Sequence, residues 1–324
     1  MKPSKLLLFA VTVLSLAGCK SEDSVTEPTP SGYVVGKNRF TTQVDGDTRE
    51  YFVHVPASYS GNTAVPVVFM FHGSGQSGEQ FYNISGWKEV GESQNLLTVF
   101  PSSLSYCIIE DGVTKTETKW AEYPGGIQFC AGVVAKDDIK FARTMITELK
   151  SKFNVDAKRI YAVGFSNGGK FSARCAVELS DIFAATVSSG GGGALPNDTT
   201  FTPVRLLPTL LQFGTIDGKL LKNLGVAGPL PMNFTTLFST YPGLYGSMPK
   251  PFIDAFKENP ATYVVSGDST VYLAADYAGL SGNPNNVFRL VEVKGLEHEY
   301  PNGINHPLKG AELHWAWMKN YTLP

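Results

Sequence analysis

The sequence predicts an α/β fold: a mostly parallel central sheet, helices on both faces and an inserted lid-like segment. Three observations carry that prediction. Val65-Pro66-Val67-Val68-Phe69-Met70-Phe71 and Leu96-Leu97-Thr98-Val99-Phe100-Pro101 are nearly continuous apolar runs, the pattern of strands buried on both faces. Lys136 to Phe153 (KDDIKFARTMITELKSKF) places apolar residues at helical spacing, with acids early and bases late to oppose the helix dipole. Arg159-Ile160-Tyr161-Ala162-Val163 then runs through Gly164-Phe165-Ser166-Asn167-Gly168 directly into a second helical stretch ending at Leu179, so strand, tight turn and helix follow without a break.

The 324 residues are 43% hydrophobic and 17% charged, which describes a globular chain with a substantial core. A net charge of −2 shows no basic excess, so no nucleic acid partner is expected. The chain has no internal repeat and no metal-spaced Cys/His cluster. A single domain over 32–324, acting as a monomer, is the expected organisation.

The first residues read as an export signal rather than as fold. Lys2 and Lys5 precede the apolar run Leu6 to Leu14, and Leu16-Ala17-Gly18-Cys19 closes it with small residues. The run is too short to span a bilayer. Its ending resembles the bacterial lipobox, which implies a signal peptide over 1–18 and acylation of Cys19. Residues 19–31 continue as KSEDSVTEPTPS after the cysteine, an acidic, Pro- and Ser/Thr-rich flexible tether. The expectation is an exported protein, lipid-anchored in the bacterial cell envelope, with membrane contact only through the lipid. The acids just after Cys19 resemble a surface-export signal.

From Tyr33 the elements follow in order. Tyr33–Thr42 and Arg49–Val55 read as strands joined across Asp45-Gly46-Asp47, a hairpin signal. His54 falls in strand alternation and reads as structural. After the buried run at 65–71 comes His72-Gly73-Ser74-Gly75-Gln76-Ser77, whose glycines let backbone approach a ligand closely. Glu79–Gln94 is helical in pattern. Ser102–Ala135 is a long polar loop containing Cys107, Cys130 and Trp120; loops of that length in a compact domain usually form functional walls or lids.

An exported chain permits disulfides, and Cys107 and Cys130 flank this loop, so they are the preferred pair; Cys175 on the elbow helix reads as a buried apolar residue. Connectivity stays open at this point.

Phe183–Ser188 is a further strand followed by glycines 190–193, and Leu207–Phe213 another, followed by Gly214-Thr215-Ile216-Asp217. Residues 218–264 form an aromatic-rich insert with Phe234, Phe238, Tyr241, Tyr245, Phe252 and several prolines. It reads as a lid, as a platform for an aromatic or polymeric substrate, or as packing of an inserted helix. Val287–Val293 is the last strand, and Gly295-Leu296-Glu297-His298-Glu299-Tyr300-Pro301 follows it. The chain closes on a Trp-rich helix, AELHWAWMKNY.

A strand passing into a helix through Gly-x-Ser-x-Gly is the nucleophile elbow of the α/β-hydrolase fold. The flanking glycines are required because a Cβ there would collide with the neighbouring strand or helix. The elbow makes Ser166 the candidate nucleophile and the Asn167 N–H one oxyanion donor; the Gly-rich loop supplies a second, from Ser74 or Gly73 N–H. His72 reads as orienting this loop. Asp217 sits at a strand end on the edge that lines the crevice of an open α/β sheet, which suits a triad acid. His54 and His72 precede the nucleophile, the wrong chain order for this fold, and His314 lies on the packing helix. His298 and His306, in the loop after the last strand, remain as the candidates for the base.

HGSGQS, LLTVFP, KDDIKFARTMI, RIYAVGFSNGG and FAATVSSGG together resemble secreted esterases of the polyhydroxybutyrate depolymerase and feruloyl esterase type, over roughly Tyr51 to Gly192. The resemblance implies a serine esterase with the triad Ser166, Asp217 and His298, needing no metal or organic cofactor. Two departures stand out: Phe213 replaces the family's histidine before Gly-Thr-x-Asp, and Tyr300 stands where tryptophan is common. Trp120, Phe238, Tyr241 and Tyr300 are the candidate substrate-binding residues. The expected substrate is a feruloyl or acetyl ester on polysaccharide. A polyester and a non-catalytic binding role are the alternatives.

Overall fold

The computed structural model describes residues 32–123, 125–192 and 202–324. The expected signal peptide, Cys19 and the tether, together with Gly193 of the glycine run, lie outside the described residues.

The chain begins with a hairpin, β1 (Gly36–Val44) and β2 (Asp47–Val55), turning on Asp45 and Gly46. Both turn residues have positive φ, 51° and 87°, as a two-residue hairpin turn demands. β3 (Val65–Phe71) is buried at every position. The helical stretch after it is two helices, α1 (Gly78–Ile84) and α2 (Trp87–Gln94), because Gly86 at φ 79° breaks the path between them. β4 (Leu97–Pro101) follows.

The polar segment 102–135 is not simply a loop. It carries a separate hairpin, β5 (Leu104–Glu110) and β6 (Val113–Lys119), turning on Asp111-Gly112. Then come α3 (Asp138–Lys152), β7 (Val155–Phe165), α4 (Asn167–Glu178), β8 (Ala185–Ser189) and β9 (Thr209–Gly214). The insert forms four short helices, α5 (Gly218–Leu224), α6 (Phe234–Thr240), α7 (Pro242–Ser247) and α8 (Pro249–Ala255). β10 (Val264–Asp268), β11 (Tyr272–Ala278), β12 (Val287–Val293) and α9 (Gly310–Met318) complete the chain.

Among the described residues one sheet of ten strands runs in the order β1-β2-β4-β3-β7-β8-β9-β12-β11-β10. Its middle, from β4 to β12, is parallel throughout, and both margins are antiparallel. One face buries Val68, Met70 and Tyr161 against α1, α2 and α9. The other buries Phe69, Phe71 and Ala162 against α3 and α4. Central strands covered on both sides are why those runs are apolar at nearly every residue.

The insert builds a third cluster. Phe234, Leu237, Phe252 and Phe256 are buried against Leu211, Leu290 and Phe288 of β9 and β12. The buried rings of the insert pack against the sheet, while Phe238, Tyr241 and Tyr245 stay half-buried on this cluster. Rings beside an uncovered sheet face bury more apolar area there than they would over an open crevice.

Glu292 of β12 lies in register with Phe213 of β9, fully buried, and neither carboxyl oxygen has a hydrogen-bond partner. Burial pushes its carboxyl up from the ordinary 4.5 to about 8. The folded state therefore holds a proton between these values that the unfolded chain lacks, and stability is lost as pH rises through that window. Glu292→Gln stays neutral at every pH. Its stability advantage over wild type should grow between pH 5 and pH 8, by on the order of 2–4 kcal/mol. Urea unfolding at both values checks this, and an advantage independent of pH would contradict a protonated Glu292.

Candidate active site

Ser166 stands between β7 and α4 with φ 52° and ψ −119°. A serine at positive φ is strained, and the surrounding backbone holds it there: Ser166 N donates to Ser189 O at 2.8 Å. The flanking glycines are obligatory on steric grounds. A Cβ on Gly164 would fall 1.9 Å from Gly168 O, and one on Gly168 would fall 2.3 Å from the carbonyl oxygens of Phe71 and His72.

β7, β9 and β12 are parallel, so the segments leaving their C-terminal ends meet at one edge of the sheet. Ser166, Asp217 and His298 converge there. Asp217 Oδ2 accepts from His298 Nδ1 at 2.8 Å. A carboxylate can only accept, so Nδ1 carries the proton and Nε2 is the free acceptor. Ser166 Oγ–H donates to that Nε2 at 2.9 Å.

Asp217 also caps α5: its Oδ1 accepts from the amides of Lys219 and Leu220, both at 3.0 Å. Turn cap and imidazole partner are thus one residue using two oxygens. Burial alone would raise the Asp217 carboxyl, but the His298 contact and the two amides outweigh it and hold the group below its usual value.

The remaining histidines have structural partners. His306 Nε2 donates to Lys294 O and its Nδ1 accepts from Leu308 N. His54 meets Tyr82 and Glu92. His72 Nδ1 donates to Gly73 O at 2.7 Å while its Nε2 accepts from Ser103 N at 3.0 Å, so the ring braces the Gly-rich loop. Burial lowers its pKa to about 4, which keeps it neutral.

Ser74 and Asn167 line a crevice of about 380 Å³ together with Ser166 and His298. Gly73 does not; its amide donates to Gln76 Oε1 at 3.1 Å and is occupied. Of the two candidate residues in the Gly-rich loop, Ser74 is the one that lines the crevice.

None of the four candidate substrate-binding aromatics lines it. Trp120 is fully buried against Phe71 and Phe171, with its indole N–H donating to His72 O at 3.0 Å. Tyr300 is buried beneath the His298 loop, where its hydroxyl accepts from Trp87 Nε1 and meets His314 Nδ1, both at 2.9 Å. Phe238 and Tyr241 pack half-buried on the insert cluster. Trp120 and Tyr300 thus seat in the core, where their polar atoms find partners.

The walls come from the two segments that the sequence marks as wall or lid, through residues it did not single out. Ile108, Ile109 and Gln128 form one side; Lys219, Leu220 and Met248 of the insert form another. The Cys107–Cys130 disulfide is present, with Cα atoms 5.5 Å apart, and it ties β5 to the 121–130 segment. Cys130 N to Cys107 O and Ile109 N to Gln128 O continue the pairing. The dipeptide Asp111-Gly112 between Ile-Ile-Glu and Val-Thr-Lys was the signal that could have revealed this hairpin. Cys175 is buried and unpaired.

No protein-family model matches the chain. It is 30% identical over 183 residues to feruloyl esterase B of Piromyces equi, spanning 55% of this chain and 31% of that protein. It is 26% identical over 194 residues to feruloyl esterase D of Neurospora crassa, spanning 56% of this chain and 57% of that one. The chain thus covers less than two thirds of the length of these relatives. Among solved structures, acetyl xylan esterase from Aspergillus awamori superposes with a TM-score of 0.54 at 16% identity, covering 87% of this chain and 99% of its own. By fold the chain is an α/β-hydrolase, and over a little more than half its length it is similar in sequence to feruloyl esterases.

Proposed function

We propose that the chain is a serine carboxylic-ester hydrolase that removes acyl groups, feruloyl or acetyl, from polysaccharide. The observation that carries the reading is the continuous hydrogen-bond chain from Ser166 Oγ through His298 to Asp217 at the mouth of an open crevice. In this mechanism His298 Nε2 takes the hydroxyl proton as Ser166 Oγ attacks the ester carbonyl. Asp217 holds the imidazole tautomer and stabilises the imidazolium. The amides of Ser74 and Asn167 receive the oxyanion. Collapse breaks the ester bond, the departing alcohol takes the proton from His298, and an acyl group remains on Ser166. Water then enters by the same steps in reverse, releasing the acid and restoring the serine.

The crevice supports a hydroxyl-rich alcohol portion. Lys119, Lys170, Glu122, Gln128 and Asn223 face it, and Phe213 is the one phenyl ring among the described lining residues. A polyester chain would call for more apolar and aromatic lining than this. The names of the sequence relatives, both feruloyl esterases, support the feruloyl ester. Acetylated xylan, methyl ferulate and short hydroxybutyrate oligomers, assayed in parallel with Ser166→Ala as control, test the reading. Ser166-dependent turnover confined to the hydroxybutyrate oligomers would overturn the polysaccharide assignment.

Export and lipid anchoring at Cys19 belong to the same proposal and rest on the Leu-Ala-Gly-Cys ending. Cys19→Ser should move the protein from the membrane fraction to a soluble or uncleaved form. Membrane association equal to wild type would refute the anchor.

A further inference from the structure

Ser74 contributes more to the crevice than its amide. Its hydroxyl oxygen accepts a hydrogen bond from the Lys119 ammonium at 2.8 Å. An ammonium has three donors and no acceptor, so the serine oxygen can only accept here and its own O–H is left to donate. A charge-assisted bond to that oxygen also strengthens the O–H as a donor. Lys119 and Ser74 both line the crevice beside Ser166 and Asn167.

Lys119 is held where it is. It ends β6 with a side chain only 8% exposed, between Glu117 Oε2 at 3.1 Å and Glu110 Oε1 at 3.6 Å. An ammonium leaves water for such a place only where several acceptors receive it. Its neighbours in the chain grip the same loop. Gly75 N donates to Thr118 O at 3.0 Å, and Thr118 Oγ1 donates to Gln76 O at 2.7 Å. The Trp120 backbone brackets the side chain of Asn167: Trp120 N donates to its Oδ1 at 2.7 Å and Trp120 O accepts from its Nδ2 at 3.1 Å. Three consecutive residues of the disulfide-tied hairpin arm thus hold both segments that carry the oxyanion amides.

We propose that Lys119 is a positioning residue for the oxyanion side of the site: it fixes Ser74 so that the serine presents its hydroxyl proton, as well as its amide, to the carbonyl oxygen of the ester. Ser74 then supplies two donors and Asn167 a third. The inference rests on the serine-esterase reading given above.

The test uses the full chain and an activated short-chain ester, 4-nitrophenyl acetate, with kcat and KM measured for Ser74→Ala, Lys119→Met, Lys119→Gln, the double variant Ser74→Ala with Lys119→Met, and Ser166→Ala. Ser74→Ala keeps the amide and removes only the hydroxyl; it should lower kcat about a hundredfold with KM within ~2-fold of wild type. Lys119→Met should lower kcat about tenfold, and Lys119→Gln, which retains an N–H donor, should recover most of that loss. Because Lys119 acts through Ser74, the double variant should be no slower than Ser74→Ala alone. Unchanged kcat in Ser74→Ala, or losses that multiply in the double variant, would overturn the inference. Ser74→Ala removes no charge and leaves the ion pairs in place, so it decides the matter even if Lys119→Met does not fold. Turnover that depends on Ser166 but not on Ser74 defeats this inference alone, whereas turnover surviving in Ser166→Ala, or absent from wild type, defeats the esterase reading with it.

Discussion

Ser166→Ala is expected to lower kcat on any ester substrate by at least about 10⁴-fold. The substitution removes the attacking oxygen and the hydrogen bond to His298 Nε2, and leaves the rest of the site standing. What survives is the rate that the oxyanion amides and substrate binding give to direct attack by water. Alanine at φ 52° carries the same backbone strain as serine, so the unfolding midpoint should move by no more than ~2 °C. A phosphonate ester that labels wild type covalently should leave the variant unlabelled. A variant that still hydrolyses esters at the wild-type rate would show that another residue is the nucleophile.

The second large effect is on the elbow itself. Gly164→Ala brings a methyl group to 1.9 Å from Gly168 O and 2.7 Å from Gly169 N. Both are backbone atoms of a packed turn and helix, so no side chain can swing aside. The strand and helix must part, which is expected to cost at least about 3 kcal/mol and to carry Ser166 away from His298. Gly218, the first residue of α5, provides the contrast, since a Cβ there meets nothing within 4 Å. Gly218→Ala should unfold within ~0.5 kcal/mol of wild type. Denaturant unfolding of the two variants side by side makes the comparison. Equal stability of the pair would mean that the elbow is not closed as described.

Local residue types made most of the frame legible. Strands β3, β4 and the second half of β7 were visible because a strand buried on both faces needs an apolar residue at nearly every position. The elbow was visible because its geometry admits only glycine two residues before and two residues after the serine. Hairpin β5–β6 was missed because one strand of it reads Val-Thr-Lys-Thr-Glu-Thr-Lys, with little buried surface to leave an apolar trace. β10 was invisible for the same reason, being exposed along its whole length.

The sequence by itself determined the α/β class and the segments that carry Ser166, Asp217 and His298, because each is written in a short run of residues. The tertiary structure decided what meets across distance. Asp217 and His298 lie 81 residues apart and touch only because β9 and β12 are neighbours in the sheet. Lys119 reaches Ser74 across 45 residues for a similar reason: its hairpin folds back over the Gly-rich loop. Trp120, Phe238, Tyr241 and Tyr300 have the same chemistry whether they face a ligand or a core. Which they face depends on the apolar surface packed beside them: here Trp120 and Tyr300 join the core, and Phe238 and Tyr241 lie half-buried on the insert cluster.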